Sequence, residues 1–409
     1  MTGDVAARFA QGLGGHGGPL GLAVSGGGDS TALLHLAVQA GLCCRAVTVD
    51  HGLRDGSAAE AVAVARLCAD LGVAHEVLPW LGWDRRGNLQ DQARRARYRL
   101  IADWARRHGL TAVALGHNRD DLAETFVMRL ARGAGVDGLA AMAARRQFMG
   151  VTWLRPLLRL GRGTLRDWLT GQGLAWVDDP SNANSRFQRV RVRRATATLA
   201  TLGMTAETLA SVAGHLAEVR QALEVQTIAS AREIVNIEAG DVVISALSLQ
   251  DLPPEIARRL LVQALVWVSS AEYGPRGPAL MRAMATLRAG RAATLMGCRI
   301  LPGKDKIRIT REWQAVRDLR CSPNAVWDGR WRVLGPQTKG LEVRALGAAG
   351  LALCPDWRKM GLPRPSLLAS PSIWRGEELV AAPLAGLGNG WHAQTPDGKD
   401  GFFLSILSH

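Results

Sequence analysis

Short apolar runs alternate with amphipathic stretches through the first 120 residues, and that rhythm admits few folds. Leu20 to Val24 is a buried strand, followed by a glycine turn and a helix from about Asp29 to Gln39. Strands over Cys43 to Val49, Val73 to Leu78 and Thr111 to Leu115 alternate with helices over Ala58 to Leu71, Asn88 to His108 and Asp120 to Leu130. The pattern predicts an α/β fold with an open parallel sheet and helices on both faces. Ligand groups in such sheets gather outside the carboxyl ends of the strands. Val24, Val49 and Leu115 each run into a polar or glycine-rich turn, which predicts one cleft.

After Gly150 the alternation stops. An arginine-rich helix from about Arg186 to Leu199 closes a first domain over 1–204. Ala206 to Ile234 reads as one long helix with Leu209, Val212, Leu216, Val219 and Leu223 on a common stripe. A mainly helical middle domain with short strands is expected over 205–315, and a small β-rich domain over 316–409. Trp327, Trp331, Trp357, Trp374 and Trp391 supply core material for the latter. No apolar run reaches the ~18 residues of a membrane-spanning helix. The N-terminus lacks the basic-then-apolar design of a signal peptide, so a cytoplasmic protein with no membrane partner is expected.

The sharpest local signal is Ser25-Gly26-Gly27-Gly28-Asp29-Ser30, set between strand and helix. Glycines allow positive φ and close backbone approach, and amides at a helix N-terminus cradle anions. Ser25 and Ser30 add hydroxyls, and Asp29 can cap the helix or hold a cation. A plain strand-to-helix turn is the blander alternative.

Charge adds a second signal. The net charge is +14, and nearly all of the excess is arginine, since the first of only five lysines is Lys304. That absence excludes a Walker A motif from the first 303 residues, because the motif needs its lysine. Nine arginines between Arg155 and Arg194 face only Asp167, Asp178 and Asp179, which favours a phosphate-rich partner. Six cysteines without a CxxC pair suggest neither a zinc site nor a redox dithiol.

The hexapeptide resembles the SGGxDS signature of the PP-loop ATP pyrophosphatases, which cleave ATP to AMP and pyrophosphate. Further motifs follow in order: Val49-Asp50-His51-Gly52-Leu53-Arg54, Asn88 through Leu100, Gly116-His117-Asn118-Arg119-Asp120-Asp121-Leu122-Ala123-Glu124-Thr125, Arg132 through Leu139, Arg155-Pro156-Leu157-Leu158 and Trp176 through Asn182. Together they look like the tRNA(Ile)-lysidine synthetase family over about the first 195 residues. Gln90 stands where family members often carry glutamate, and Val190 where they often carry asparagine.

The resemblance implies a ligase whose substrates are ATP, with Mg²⁺, free L-lysine and the isoleucine tRNA bearing a CAU anticodon. The wobble cytidine is adenylated through its C2 oxygen, and the lysine amine then displaces AMP. Ser25, Gly26, Gly27, Gly28, Asp29, Ser30 and His51 are assigned to ATP, with Asp29 also a Mg²⁺ ligand. Asp29, Arg97 and Asp121 are the expected catalytic residues; Asp120, Glu124 and Arg132 are expected to bind lysine. Arg94, Arg189, Arg191 and Arg193 are expected on tRNA, with Arg258, Arg259, Arg276 and Arg282 as further phosphate contacts. Helix charge compensation for the acidic cluster and a solvated face for the arginines remain the simpler alternatives. A tRNA thiolase on the same scaffold and a non-catalytic RNA-binding protein are the competing functions.

Overall fold

The structure is a computed structural model, and it describes residues 2–52, 56–80, 89–140, 142–177, 188–336, 339–395 and 398–406. Of the expected motif positions, Leu53, Arg54, Asn88, Asp178 to Asn182 and Arg186 lie outside the described residues, as does the side chain of Gln90. The chain divides into two compact units, Met1–Arg220 and Gln221–His409.

In the first unit the elements are α1 (Thr2–Gly12), β1 (Leu20–Ala23), α2 (Gly28–Gln39), β2 (Cys44–Asp50), α3 (Ser57–Asp70) and β3 (Ala74–Pro79). There follow α4 (Leu89–Arg107), β4 (Ala112–Leu115), α5 (Arg119–Leu130), α6 (Val136–Leu139), β5 (Arg145–Phe148), β6 (Val151–Leu154), α7 (Arg162–Gly171), α8 (Gln188–Ala200) and the start of α9 (Ala206–Ile234), which continues past Arg220. The sheet order is β3-β2-β1-β4-β6-β5, parallel except for the edge strand β5, which pairs antiparallel with β6. Sequence periodicity extends only to β4. The hairpin β5–β6 escapes it because Arg145 to Phe148 is an exposed, polar edge with no buried alternation.

β1 and β4 are fully buried, and both faces of the sheet carry helices. Leu22, Leu33, Leu36, Leu157 and Leu165 pack on one side; Val47, Ile101, Trp104, Val113 and Trp153 pack on the other. The chain leaves β1 one way to β2 and returns through β4 on its other edge, so a crevice opens where the strand order reverses.

The long helix α9 has the expected bounds, but its stripe is rotated. Leu209, Ala213 and Leu216 meet Ala123 and Phe126 of α5, whereas Val212 and Val219 are exposed. The sequence reading chose the larger β-branched residues over an alanine that fits closer to α5. This packing carries the first unit past α8.

The second unit holds a five-stranded antiparallel sheet over residues 235–311, packed by the helices Pro254–Ser269 and Gly277–Arg288. Residues 320–394 add a four-stranded sheet and a two-stranded ribbon. Trp327, Trp331, Trp374 and Trp391 are buried there, as the tryptophan-rich sequence leads one to expect, and Trp357 packs at the edge of a smaller cluster. Arg258 and Arg259 both bond Glu255 on their own helix. Among the described residues, no helix is long and apolar enough to cross a membrane.

Gly21 shows how tightly β1 is held. A Cβ there would lie 2.8 Å from the Trp104 ring and 2.9 Å from Val113. Gly21→Ala is expected to lower unfolding free energy by about 1–3 kcal/mol through overpacking. Denaturant titration checks this, and an unchanged midpoint would contradict it.

Candidate active site

The turn after β1 is held by its own side chains. Ser30 Oγ accepts the Ser25 N–H at 3.1 Å, lies 3.2 Å from Ser25 Oγ, and donates to the Gly27 carbonyl at 2.9 Å. Thr31 Oγ1 donates to the Gly26 carbonyl at 3.3 Å. Gly26 has φ +82°, and a Cβ there would press to 3.1 Å from Val64, so a side chain is excluded on both counts. Val177 N–H donates to the Gly26 carbonyl at 3.0 Å, which brings part of the Trp176 motif onto the turn. The backbone amides at the start of α2 face a cavity of about 850 Å³. That is room for a nucleotide.

Three strand ends contribute to the cavity wall. Asp50 and His51 follow β2, the turn follows β1, and Gly116-His117 follows β4. Arg97 reaches in from α4, Asp121 from α5, Arg162 and Arg166 from α7, and Arg189 and Arg193 from α8. Of the expected site residues, the Ser25–Ser30 turn, His51, Arg97, Asp121, Arg189 and Arg193 line this cavity, whereas Arg94, Asp120, Glu124, Arg132 and Arg191 do not.

The acidic cluster is the densest part. Asn118 caps α5: its Oδ1 accepts the Asp121 N–H at 3.0 Å, while Asp121 Oδ2 accepts the Asn118 N–H at 3.0 Å. Asp121 Oδ1 then accepts from Arg162 at 2.9 Å and Arg189 at 2.8 Å. Glu124, one turn along, accepts from Arg162 at 3.0 Å, Arg189 at 2.8 Å and Arg193 at 2.7 Å. Both carboxylates are buried, Glu124 to 2% exposure. Burial alone would raise the Glu124 pKa, but the hydrogen bonds from Arg193 and Arg189 and the charge of Arg162 outweigh it and hold the group below its ordinary value.

Asp29 behaves oppositely. Burial first, then the negative charge of Asp121, pushes its pKa up against the pull of Arg162, whose Nε is 3.8 Å away. Asp120 is used structurally: its Oδ2 accepts the backbone N–H of Arg162 at 2.7 Å and so anchors the start of α7. Arg132 is exposed and bonds Gln188 at 2.5 Å, outside the cavity wall. Arg191 is exposed, while Val190 is buried between Arg189 and Arg191. Arg189 and Arg193, expected to meet tRNA, pair with the carboxylates while their side chains stay 40% and 35% exposed.

Two histidines line the cavity. His51 has an edge-to-face contact with Trp80 at 5.8 Å. Its pKa is lowered, first by burial and then by the charge of Arg97. His117 is lowered further, by burial and then by Arg155, Arg97, Arg94 and Arg189. Both are neutral imidazoles at neutral pH. Sequence reasoning missed Arg162, the hub of the acidic cluster. The signal was its placement between Gly161 and Gly163, a helix start with room for the backbone to approach Asp120.

Comparison with known proteins agrees with this geometry. Residues 6–199 match the PP-loop domain family. A tRNA(Ile)-lysidine synthase of Ruegeria pomeroyi is 52% identical over 396 residues, covering 95% of this chain and 94% of that one. That of Novosphingobium aromaticivorans is 44% identical over 282 residues, covering 68% and 83%. The chain belongs to the tRNA(Ile)-lysidine synthase family. The enzyme class is an ATP-dependent ligase of that family, and the turn at Ser25 to Ser30 lies within the matched PP-loop domain.

The Glu124 ion pairs predict a pH signature. Its folded pKa is depressed, so its contribution to stability is present above the unfolded carboxylate value and is lost as pH falls through the lower folded value. Glu124→Gln should therefore flatten the acid limb of the stability–pH curve. At neutral pH it should cost about 1–3 kcal/mol, less than a fully buried pair because Arg189 and Arg193 are 40% and 35% exposed. Chemical denaturation from neutral pH downward checks both. An acid limb parallel to that of the unsubstituted protein would contradict the assignment.

Proposed function

We propose that this chain ligates free L-lysine to C2 of the wobble cytidine in the CAU-anticodon isoleucine tRNA, through an adenylated cytidine, in the cytoplasm. The observation that carries the reading is the convergence, in one cavity, of the Ser25–Ser30 turn, a cationic wall and Asp121, which shares its guanidiniums with the buried Glu124 one turn along. A phosphate-binding turn, cations for a developing phosphate charge and carboxylates for an amine are the three parts that this reaction requires.

In this reading the turn amides and the Ser25 and Ser30 hydroxyls hold the outer phosphates of ATP, with His51 at the neighbouring strand end. Arg97 lies opposite and stabilises charge on the α-phosphate as the C2 oxygen attacks. Adenylation is needed because the ring oxygen is otherwise a poor leaving group. Asp29 fits a Mg²⁺ ligand: its carboxylate lines the cavity, is crowded by the charge of Asp121, and stands 3.8 Å from its nearest guanidinium partner. Bound there with the phosphates, the ion would neutralise phosphate charge.

Asp121 and Glu124 receive the lysine amine, and Asp121 takes its proton. An incoming ammonium would replace a guanidinium already on these oxygens. Arg189 is the easier one to displace, since its side chain is 40% exposed against 16% for Arg162. Asp120, on the α7 backbone, and Arg132, on Gln188, support the site from outside.

The thiolase reading lacks its chemistry. Thiolases on this scaffold need reactive cysteines, and among the described residues no cysteine lines the cavity. Burial pushes the Cys68 thiol up to about 11, away from the thiolate form.

Incubation with CAU-anticodon isoleucine tRNA, ATP and labelled lysine tests the reading directly. Label should enter the tRNA with one AMP per lysine, and no label with a folded enzyme would overturn it. Asp29→Ala should abolish AMP formation while tRNA affinity stays within a few-fold, because Asp29 sits at the turn and away from the basic surface. Normal turnover by that variant would remove Asp29 from the mechanism.

A further inference from the structure

The arginines around the cavity fall into two sets. Arg162, Arg189 and Arg193 are paired with Asp121 and Glu124, two carboxylates against three guanidiniums. Arg94, Arg97, Arg129, Arg146 and Arg155 have no ion pair with any carboxylate among the described residues. Arg155 is nevertheless buried, and its Nε has no hydrogen-bond partner. His117, beside it, keeps an unpartnered Nδ1. Cations brought together without carboxylates repel one another, and each lies in the field of the next: burial and then Arg94 and Arg146 weigh on Arg129, and Arg94 and Arg146 also weigh on Arg155. An arrangement of this kind is stabilised by a bound anion.

Aromatic rings interleave with this set. Arg94 lies over the Tyr98 ring at 5.2 Å and points to its hydroxyl at 3.4 Å. Tyr98 meets Phe148 edge to face at 5.9 Å, and Arg146 lies over Phe148 at 4.7 Å. From behind, Arg155 bonds the Ala143 carbonyl at 2.7 Å and stands 3.5 Å from the Tyr98 hydroxyl. Arg94 and Arg146 are exposed, whereas Arg97 and His117 line the cavity. The unpaired charges thus run from the open surface inward.

We propose that Arg94 and Arg146, interleaved with Tyr98 and Phe148, together with Arg129 in their field, form a track for single-stranded RNA that delivers the target base to Arg97 and His117 at the cavity wall. The proposal rests on the tRNA reading above and moves the main backbone contact from the arginines of α8 to the β5 edge and α4. A single phosphate would need only the cavity end. Several unpaired arginines alternating with rings fit a strand whose phosphates and bases alternate in the same way. A stem-loop presents such a strand, because loop bases unstack cheaply.

Binding of a labelled anticodon stem-loop RNA with a CAU loop to the full-length chain, measured across a range of salt, tests this. Arg146→Gln and Arg129→Gln should each weaken binding about five- to twentyfold and reduce the salt slope by about one. Arg146→Lys should recover much of the loss, ATP affinity should not change in either variant, and the melting temperature of Arg146→Gln should not change. Arg129 also holds the Gly138 carbonyl at 2.7 Å, so if its variant unfolds, the exposed Arg146 carries the test. Unchanged RNA affinity and salt slope in folded Arg146→Gln would overturn the track. A loss of ATP affinity equal to the loss of RNA affinity would also overturn it, by giving the phosphate to the nucleotide. Failure of the ligase reading shows separately: the unsubstituted protein would bind the stem-loop yet transfer no lysine to full-length tRNA.

Discussion

Two buried carboxylates sharing three guanidiniums hold this active site together. Asp121 and Glu124 sit on the first turns of α5, Arg162 starts α7, and Arg189 and Arg193 lie on α8. Those helices are far apart in sequence, and no common hydrophobic cluster among those described spans all three. The ionic cluster is what joins them around the cavity. Glu124 could not be buried as a carboxylate alone: without its guanidiniums, a group at 2% exposure would be protonated. Here the lone pairs of the carboxylates are nearly all used, which is the condition under which such a cluster stabilises.

That arrangement divides the cavity electrostatically. On the α5–α7–α8 side the charges cancel closely, so the wall is polar without being strongly positive. On the α4–β6 side Arg97 and Arg155 have no carboxylate partner, and the nearby histidine stays neutral. The Ser25–Ser30 turn lies between the two sides. A reaction that first gathers phosphate charge and then consumes an amine can use the two walls in turn.

Much of this was legible in the sequence because it is local. The hexapeptide, the strands β1 to β4 and the acidic start of α5 are each set by neighbours within a few residues, through turn geometry, alternation and capping. What was hidden depends on distance. Arg189 and Arg193 look from sequence like a solvated or RNA-facing helix, and only the fold reveals carboxylates 65 and 69 residues away as their partners. Arg162 was missed for the same reason. Val212 and Val219 were placed on the buried stripe of α9 by size, but α5 admits Ala213 instead. The edge strand β5 carries the polar, exposed sequence suited to a sheet edge, so alternation could not find it.

On the proposed function, the phosphate turn and the carboxylate pair serve different half-reactions. A rapid-quench experiment with Asp121→Asn, following AMP release and adenylated tRNA in one reaction, separates them. If Asp121 acts on the lysine amine, adenylation proceeds at close to its normal rate and adenylated tRNA accumulates while lysine transfer lags. If both steps fall by the same factor, the carboxylate belongs to the nucleotide chemistry and the division of the cavity is wrong.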